Sequence, residues 1–416
     1  MVKRIGALAF IFLCTTIAWM ILGATIFSRT YSSQSGSLEN EVSSSWGSPQ
    51  AQKAPTAAYY VERLVTETSE VDGRRIEKQV QKSVPVQLPM EKSRVDVDLH
   101  LDPRQKGLLW YSTYAVAFSG NYVFLNNTGE DRSIYLRLNF PAERAIYDDL
   151  TVVVDGVPAA VTTDHGGVAA NVASAAGKSI DVKFAYRSQG MKSWTYRFGD
   201  DVSKVQDFAL NMKTNFKDVD FGPDTLSPSE KHENGGGWAL TWRYENLLSG
   251  LQIGTTMPEK LQPGPLAGQI SFFAPVSLFF FFFLIFIITT LRGIDLHPMN
   301  YFFLATAFFA FHLLLAYLVD HISVHLAFLI CSVVSVFLVV SYLRLVVGMR
   351  FAAVEAGGAQ FIYLVLFSYA FFFKGFTGLA ITIGSIVTLF LVMQLTGRVK
   401  WAEKFTKTGL PAPAAS

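Results

Sequence analysis

The segment from Asp295 to His321 constrains the fold of this chain most. Pro298 opens an almost uncharged run that extends to Val319 and stops at Asp320 and His321. About twenty apolar residues cross the hydrocarbon core of a bilayer, and proline is favoured at the first position of a helix. The segment therefore predicts a transmembrane helix with a defined start and end.

Further apolar runs surround this helix. With 50% hydrophobic residues and a mean hydropathy of +0.30, the chain must combine a membrane part with a soluble part. The first run follows Lys3 and Arg4; it is either a cleaved signal peptide or a retained anchor, and its length of about 23 residues favours the anchor. Together with that first run at 5–27, the further predicted spans are 271–291, 322–342, 360–373 and 376–396.

Positive residues indicate the orientation of these six spans. If both termini are cytoplasmic, only Lys374 among the basic residues outside 28–268 falls on the far side, as the positive-inside rule prefers. Residues 28–268 are then extracytoplasmic. The nine residues on the cytoplasmic side are Lys3, Arg4, Arg292, Arg344, Arg350, Arg398, Lys400, Lys404 and Lys407.

The predicted extracytoplasmic region changes character along its length. Residues 28–55 are rich in Ser, Gly, Gln and Ala and predict a flexible stalk. From 95 to 101, apolar and polar residues alternate with a period of two, and similar short runs separated by turn residues follow. We expect an antiparallel β-sandwich-like domain over 56–268. The predicted fold is thus mixed, with an anchor (1–27), a stalk, this domain, a five-helix transmembrane block (269–404) and a cytoplasmic tail (405–416).

Charge and cysteine content exclude some classes of partner and linkage. Residues 28–268 carry 25 Lys and Arg against 29 Asp and Glu, so no basic face for nucleic acid is expected. Both cysteines, Cys14 and Cys331, lie in predicted spans and form no disulfide framework.

The best candidate for chemistry is a polar cluster of His312, Asp320, His321 and His325. If the next helix begins by His321, then His321 and His325 share a face at the spacing of metal-binding helices. His312 and Asp320 could form a proton relay, since ionisable groups in a membrane are costly. The structural alternative is favoured, in which His321 and His325 are interfacial residues and His312 specifies helix packing. No catalytic residue, metal or cofactor is assigned.

Weaker candidates lie elsewhere. Trp194, Trp238 and Trp242 could form an aromatic platform for a glycan, although a β-core also needs such residues. Glu355, beside Gly357 and Gly358, is expected to be solvated near an interface.

The membrane segments resemble one known family. The residues Leu296, His297, Pro298 and Tyr301, followed a helix later by Asp320 and His321, are similar to the signature of the CreD family of bacterial inner-membrane proteins. Asp320 stands where that family usually has Glu. The resemblance covers about residues 270–404. It implies one N-terminal helix, a large periplasmic region, a C-terminal helical block, and a role in cell-envelope integrity under stress.

Two classes of function follow from these observations. The first is a non-enzymatic scaffold in the lipid bilayer, which binds envelope proteins through the β domain. The second is a membrane enzyme or transporter that uses the polar cluster, and it requires the four side chains of that cluster to converge.

Overall fold

The computed structural model describes residues 2–27, 33–71, 74–106, 109–143, 145–199, 203–373 and 375–397. The chain divides into a membrane unit, Met1–Gly36 with Leu261–Ser416, and a β unit, Ser37–Lys260. The predicted tail at 405–416, residues 28–32 of the predicted stalk and Lys374 lie outside the described residues. The mixed fold class is confirmed: the structure combines apolar helices with a large, mainly antiparallel β unit.

The β unit begins within a helix and then consists of strands. Its first half comprises α2 (Ser33–Trp46), β1 (Gln50–Lys53), β2 (Thr56–Val71), β3 (Arg74–Gln87), β4 (Met90–Leu101), β5 (Arg104–Lys106), β6 (Leu109–Tyr111), β7 (Thr113–Leu125), β8 (Arg132–Asn139) and β9 (Tyr147–Val154). Its second half comprises β10 (Val157–Pro158), β11 (Val161–Asp164), β12 (Gly167–Ser174), β13 (Ser179–Met191), β14 (Ser193–Arg197), β15 (Ser203–Thr214), β16 (Glu230–Asn234), β17 (Gly237–Ser249) and β18 (Gln252–Thr256).

Two large sheets dominate the β unit. One has eight strands in the order β10-β9-β13-β7-β4-β15-β17-β16, and the other has five in the order β11-β12-β8-β2-β3. Smaller sheets are formed by β1-β14-β18 and by β5-β6. The named strands pair antiparallel except β1 with β14 and β4 with β15. Those two parallel pairs join strands that are far apart in the chain.

Alternation along the strands builds the core between the two large sheets. In β4, Val95, Val97 and Leu99 are buried while the aspartates between them are exposed. These side chains join one cluster with Leu136 and Val168 of the five-stranded sheet. The sheets therefore pack face to face, as the sequence predicts for a sandwich-like domain.

An ion pair ties the edge of the five-stranded sheet. Arg137 on β8 donates two hydrogen bonds to the Asp164 carboxylate at the end of β11, at 2.8 and 3.0 Å. These hydrogen bonds lower the pKa of Asp164 to about 2. The bidentate geometry holds the β11–β12 hairpin against β8.

The predicted stalk at 28–55 is wrong over most of its length. Residues 33–46 form α2 and residues 50–53 form β1, which pairs with β14. The glutamines that favour a flexible segment are buried in the structure: Gln50 donates to the Ser188 hydroxyl at 2.9 Å, and Gln52 accepts from Tyr186 at 2.6 Å. Polar composition misleads here because the β unit supplies hydrogen-bond partners for the Gln50 amide N–H and for both ends of the Gln52 amide.

The membrane unit contains six helices long and apolar enough to span a bilayer among the residues that the structure describes. They are α1 (Val2–Phe27), α3 (Pro263–Arg292), α4 (Pro298–Leu318), α5 (Val324–Val346), α6 (Phe351–Phe372) and α7 (Thr377–Thr396). The predicted spans are all present, but α3 starts eight residues earlier and α6 nine residues earlier than the sequence predicts. Short π-helical segments, Phe351–Ala356 and Phe361–Leu366, interrupt α6.

A tight contact in the β unit provides a test of the fold. Gly237 begins β17, and a Cβ added there would lie 1.8 Å from the carbonyl oxygen of Thr214. Gly237→Ala should therefore destabilise the β unit by about 1 to 3 kcal/mol, the usual cost of overpacking. The measurement is the thermal unfolding of the purified full-length protein.

The matched control is Gly222→Ala. The nearest atom to a Cβ there is the Thr256 hydroxyl oxygen at 3.7 Å, an ordinary contact. This variant should stay within about 0.5 kcal/mol of the wild type. Equal unfolding temperatures for the two variants would contradict the strand arrangement at β15 and β17.

Candidate functional site

His312 lies at the centre of the membrane unit. It is fully buried on α4. Its ring packs against the rings of Phe308, Phe309 and Phe311. It also packs against the indole of Trp19 from α1, and the centroids of these two rings are 5.6 Å apart. Within the described part of the chain, neither ring nitrogen has a hydrogen-bond partner. The site surrounds this imidazole with aromatic rings.

Trp19 connects the helices around His312. Its ring stacks on Phe309 with centroids 4.9 Å apart, and its Nε1 donates to the carbonyl oxygen of Ser271 on α3 at 3.2 Å. Helices α1, α3 and α4 therefore meet at one aromatic contact, which gives His312 a clear packing role.

Asp320 and His321 lie between helices, because α4 ends at Leu318 and α5 begins at Val324. The backbone N–H of His321 donates to Leu318 in the connecting turn, at 3.0 Å. The shared face of His321 and His325 requires a helix that begins by His321, and this condition is not met because α5 begins at Val324. Asp320 lies two residues beyond the end of α4.

His325 occupies a different environment. It lies in the first turn of α5 and is exposed, and its ring contacts Phe372 of α6 with centroids 5.2 Å apart. Among the residues described, His, Cys, Asp and Glu form no group of three or more that could hold a metal ion. The structure thus places the predicted cluster in three settings: an aromatic core, a turn and the contact with α6.

The signature residues at the start of α4 have structural roles. His297 is the N-cap of α4, and its Nδ1 accepts a hydrogen bond from the backbone N–H of Met299 at 3.2 Å. Pro298 occupies the first helical position, as the sequence predicts. Leu296 is buried, and the buried ring of Tyr301 packs edge-on against Phe282 of α3. Together these residues set the angle at which α4 enters the membrane unit.

A buried amide without any motif around it links α5 to α6. Gln360 is fully buried, and its Nε2 donates to the Ser335 hydroxyl at 2.8 Å. Ser335 in turn donates to the carbonyl oxygen of Ala307 on α4 at 3.3 Å. Gln360 Oε1 has no partner in the described ranges. In the sequence, the only sign of this contact is that Gln360 is an amide within an apolar run. An amide inside a membrane span predicts an interhelical hydrogen bond.

A second set of hydrogen bonds joins α6 to its other neighbours. The Tyr363 hydroxyl donates to Thr388 of α7 at 2.8 Å, and the Ser277 hydroxyl of α3 donates to the Tyr363 carbonyl oxygen. Tyr363 lies in the second π-helical segment of α6. Such segments are rare and often mark functional positions. Helix α6 is therefore the hub of polar contacts in this unit.

The prediction that Glu355 is solvated is wrong. Its side chain is only 12% exposed and forms an ion pair with Arg292 at the end of α3. Because helix α6 starts at Phe351, Glu355 lies within the helix and not in a loop before it. The pair neutralises a carboxylate that packing has largely removed from solvent.

The tryptophans of the β unit serve mainly as core. Trp194 and Trp242 are fully buried, and Trp242 donates its indole N–H to Leu226 at 2.8 Å. Trp238 is half-buried, with the Lys231 ammonium 4.0 Å from its ring centroid. The three indoles therefore do not form one exposed platform, and the glycan interpretation loses its basis.

The fold and the polar contacts define the class of protein: a multi-pass membrane protein in which a β-rich unit is inserted between the first and second membrane-length helices. The N-cap His297, Pro298 and the turn at Asp320 and His321 all belong to this helical unit. The chain is a member of the CreD family, since the family model described as inner membrane protein CreD matches residues 1–280 and 271–402.

Other comparisons give only distant similarity. No curated protein matches the chain. A putative nutrient binding protein from Legionella pneumophila shares 9% identity with a TM-score of 0.27, and the match covers 47% of this chain and 73% of that one. A variant M1 zinc metallopeptidase from Deinococcus radiodurans, bound to a Tyr-Ser-Ala substrate, shares 10% identity with a TM-score of 0.26, over 41% of this chain and 42% of the peptidase. At these scores neither structure informs function.

The Gln360 contact yields a prediction about stability. Ser335→Ala removes the acceptor of a buried amide and should cost about 0.6 to 1.7 kcal/mol, the range of interhelical hydrogen bonds in membranes. Combining Ser335→Ala with Gln360→Leu removes both partners and should recover most of that loss. Thermal unfolding of the detergent-solubilised protein measures both. Gln360→Leu alone completes the comparison: a double variant whose loss equals the sum of the losses of Ser335→Ala and Gln360→Leu would show that the hydrogen bond contributes nothing.

Proposed function

We propose that this protein supports the integrity of the bacterial cell envelope under stress as a non-enzymatic scaffold of the inner membrane. In this proposal residues 28–268 are periplasmic, both termini are cytoplasmic, and the β unit binds other envelope proteins. Membership of the CreD family supports an envelope role. The basic residues Arg292, Arg344 and Arg350 lie at helix ends on the side that the positive-inside rule assigns to the cytoplasm.

The observation that carries the scaffold interpretation is the dispersal of the predicted polar cluster. His312 is enclosed by rings, Asp320 and His321 lie in a turn, and His325 contacts Phe372. Catalysis requires acid, base and substrate groups to converge within hydrogen-bond distance. His312 and His325 instead pack against aromatic rings, while the β unit offers a large folded surface of its own.

The second candidate, a membrane enzyme or transporter, is favoured by one observation. His312 buries both ring nitrogens without a hydrogen-bond partner among the described residues, and such a group can hold or pass a proton. A variant that replaces the His312 imidazole with another ring distinguishes this candidate from the scaffold proposal, because it removes the ring nitrogens and keeps the packing.

Complementation of a deletion strain tests the proposal. The strain is challenged with detergent or a cell-wall antibiotic and complemented with the wild type or with a His312→Phe, Asp320→Asn, His321→Gln triple variant. His312→Phe preserves a ring among Phe308, Phe309 and Phe311, so the scaffold predicts full restoration of the barrier. The measurement is leakage of a periplasmic marker at matched protein levels.

Two results would overturn parts of this proposal. If only the wild type restores the barrier, the polar residues have a chemical role and the second candidate replaces the first. If deletion causes no leakage, the envelope role itself is wrong.

Orientation is tested separately by cysteine labelling. His232→Cys places an exposed thiol on β16 of the β unit, and Met349→Cys places one at an exposed position between α5 and α6. A membrane-impermeant maleimide added to spheroplasts should label the first variant at once and the second only after permeabilisation. The opposite pattern would reverse the proposed topology. Cys14→Ser serves as the common background.

A further inference from the structure

A long groove runs between α5 and α6 in the membrane unit. Its volume is about 740 Å³, within the range of sites that hold small molecules. It extends along α5 from His325 to Val340, which at 1.5 Å per residue is about 22 Å. On the α6 side it runs from Phe361 to Tyr369 and includes part of the second π-helical segment.

The two ends of this groove differ in chemistry. His325 and Tyr369 lie together at one end, where each ring contacts Phe372 with centroids 5.2 Å apart. Both side chains can donate a hydrogen bond from their outer atoms. The rest of the lining is apolar, apart from Ser332, whose hydroxyl donates to Phe328 of its own helix at 2.7 Å. The groove thus has one polar end and a long apolar body.

The hydrogen bond between Gln360 and Ser335 holds this shape. Ser335 precedes the lining residue Val336, and Gln360 precedes the lining residue Phe361. The bond therefore fixes the separation of α5 and α6 beside the groove.

The lining argues against a transmembrane helix as the occupant. Helices associate in membranes through small residues that allow their backbones to approach. Among the groove residues of the described chain Ser332 alone is small, and Phe337, Leu329 and Val333 are large and exposed. A flexible hydrocarbon chain fits such a surface, because it can adapt to irregular side chains.

The length of the groove indicates which hydrocarbon chain fits. One leaflet supplies about half of a hydrocarbon core of about 30 Å, so a chain that follows the groove for about 22 Å is longer than the chains of one leaflet. We propose that the groove binds a single long hydrocarbon chain, such as an isoprenoid, of a lipid whose phosphate is held by His325 and Tyr369. This site is independent of the scaffold proposal.

The test uses the purified full-length protein in nanodiscs with a polyprenyl phosphate that carries a photoreactive group on its chain. Crosslinked peptides should come from α5 and α6. Val336→Trp fills the groove and should reduce crosslinking at least about tenfold, because the bulky ring displaces several methylenes. Leu338→Trp is the matched control, since Leu338 lies on the same helix outside the lining. Equal crosslinking in the two variants would overturn the site.

The polar end is tested with a second pair of variants. His325→Ala should weaken binding of the polyprenyl phosphate by about tenfold, as expected for a lost hydrogen bond to a charged group, and leave binding of the uncharged polyprenol unchanged. His321→Ala, in the neighbouring turn, should change neither. Equal losses with the phosphate and the alcohol would refute the headgroup assignment. Full competition by a two-chain phospholipid would refute the single-chain assignment.

Discussion

Hydrocarbon offers no hydrogen bonds, so every polar atom inside the membrane unit must find its partner within the protein or remain unsatisfied. This constraint accounts for most contacts between the helices. Several hydroxyls in the spans donate back to the preceding turn, as Ser332, Thr382 and Ser385 do. The side chains that do not, notably Ser335 and Gln360, join neighbouring helices. Polar contacts thus decide which helices are neighbours, while apolar bulk fills the space between them.

The aromatic residues of α3 show that neighbours in the sequence can differ completely in burial. In the run from Phe279 to Phe283 of α3, Phe281 and Phe282 are fully buried, whereas Phe279 is half exposed. A helix turns by about 100° per residue, so five consecutive rings must cover all its faces. Which rings are inside depends on where α1, α4 and α6 pack, and no local pattern contains that information.

The same limit of local patterns explains why only part of the predicted site could be assigned from the sequence. Pro298 and His297 follow local rules of helix initiation, and their roles were predictable in part from sequence. His312, Asp320, His321 and His325 were grouped by spacing along assumed helices. Because α5 starts at Val324, His321 lies outside the helix that carries His325. Gln360 and Glu355, which the structure shows to be buried, depend on partners 25 and more residues away.

The sequence by itself determined six membrane-length helices, the mixed fold and the alternation of the strands, because hydropathy and periodicity are properties of neighbouring residues. It also determined the family, through the residues around Pro298 and Asp320. Only the tertiary structure decided that Gln50 and Gln52 belong to the β unit, that α6 is the polar hub of the membrane unit, and that His325 lies at the end of a groove. These features require groups from distant segments to meet, and the free energy of satisfying a buried polar atom is assigned only when the partner segment is in place.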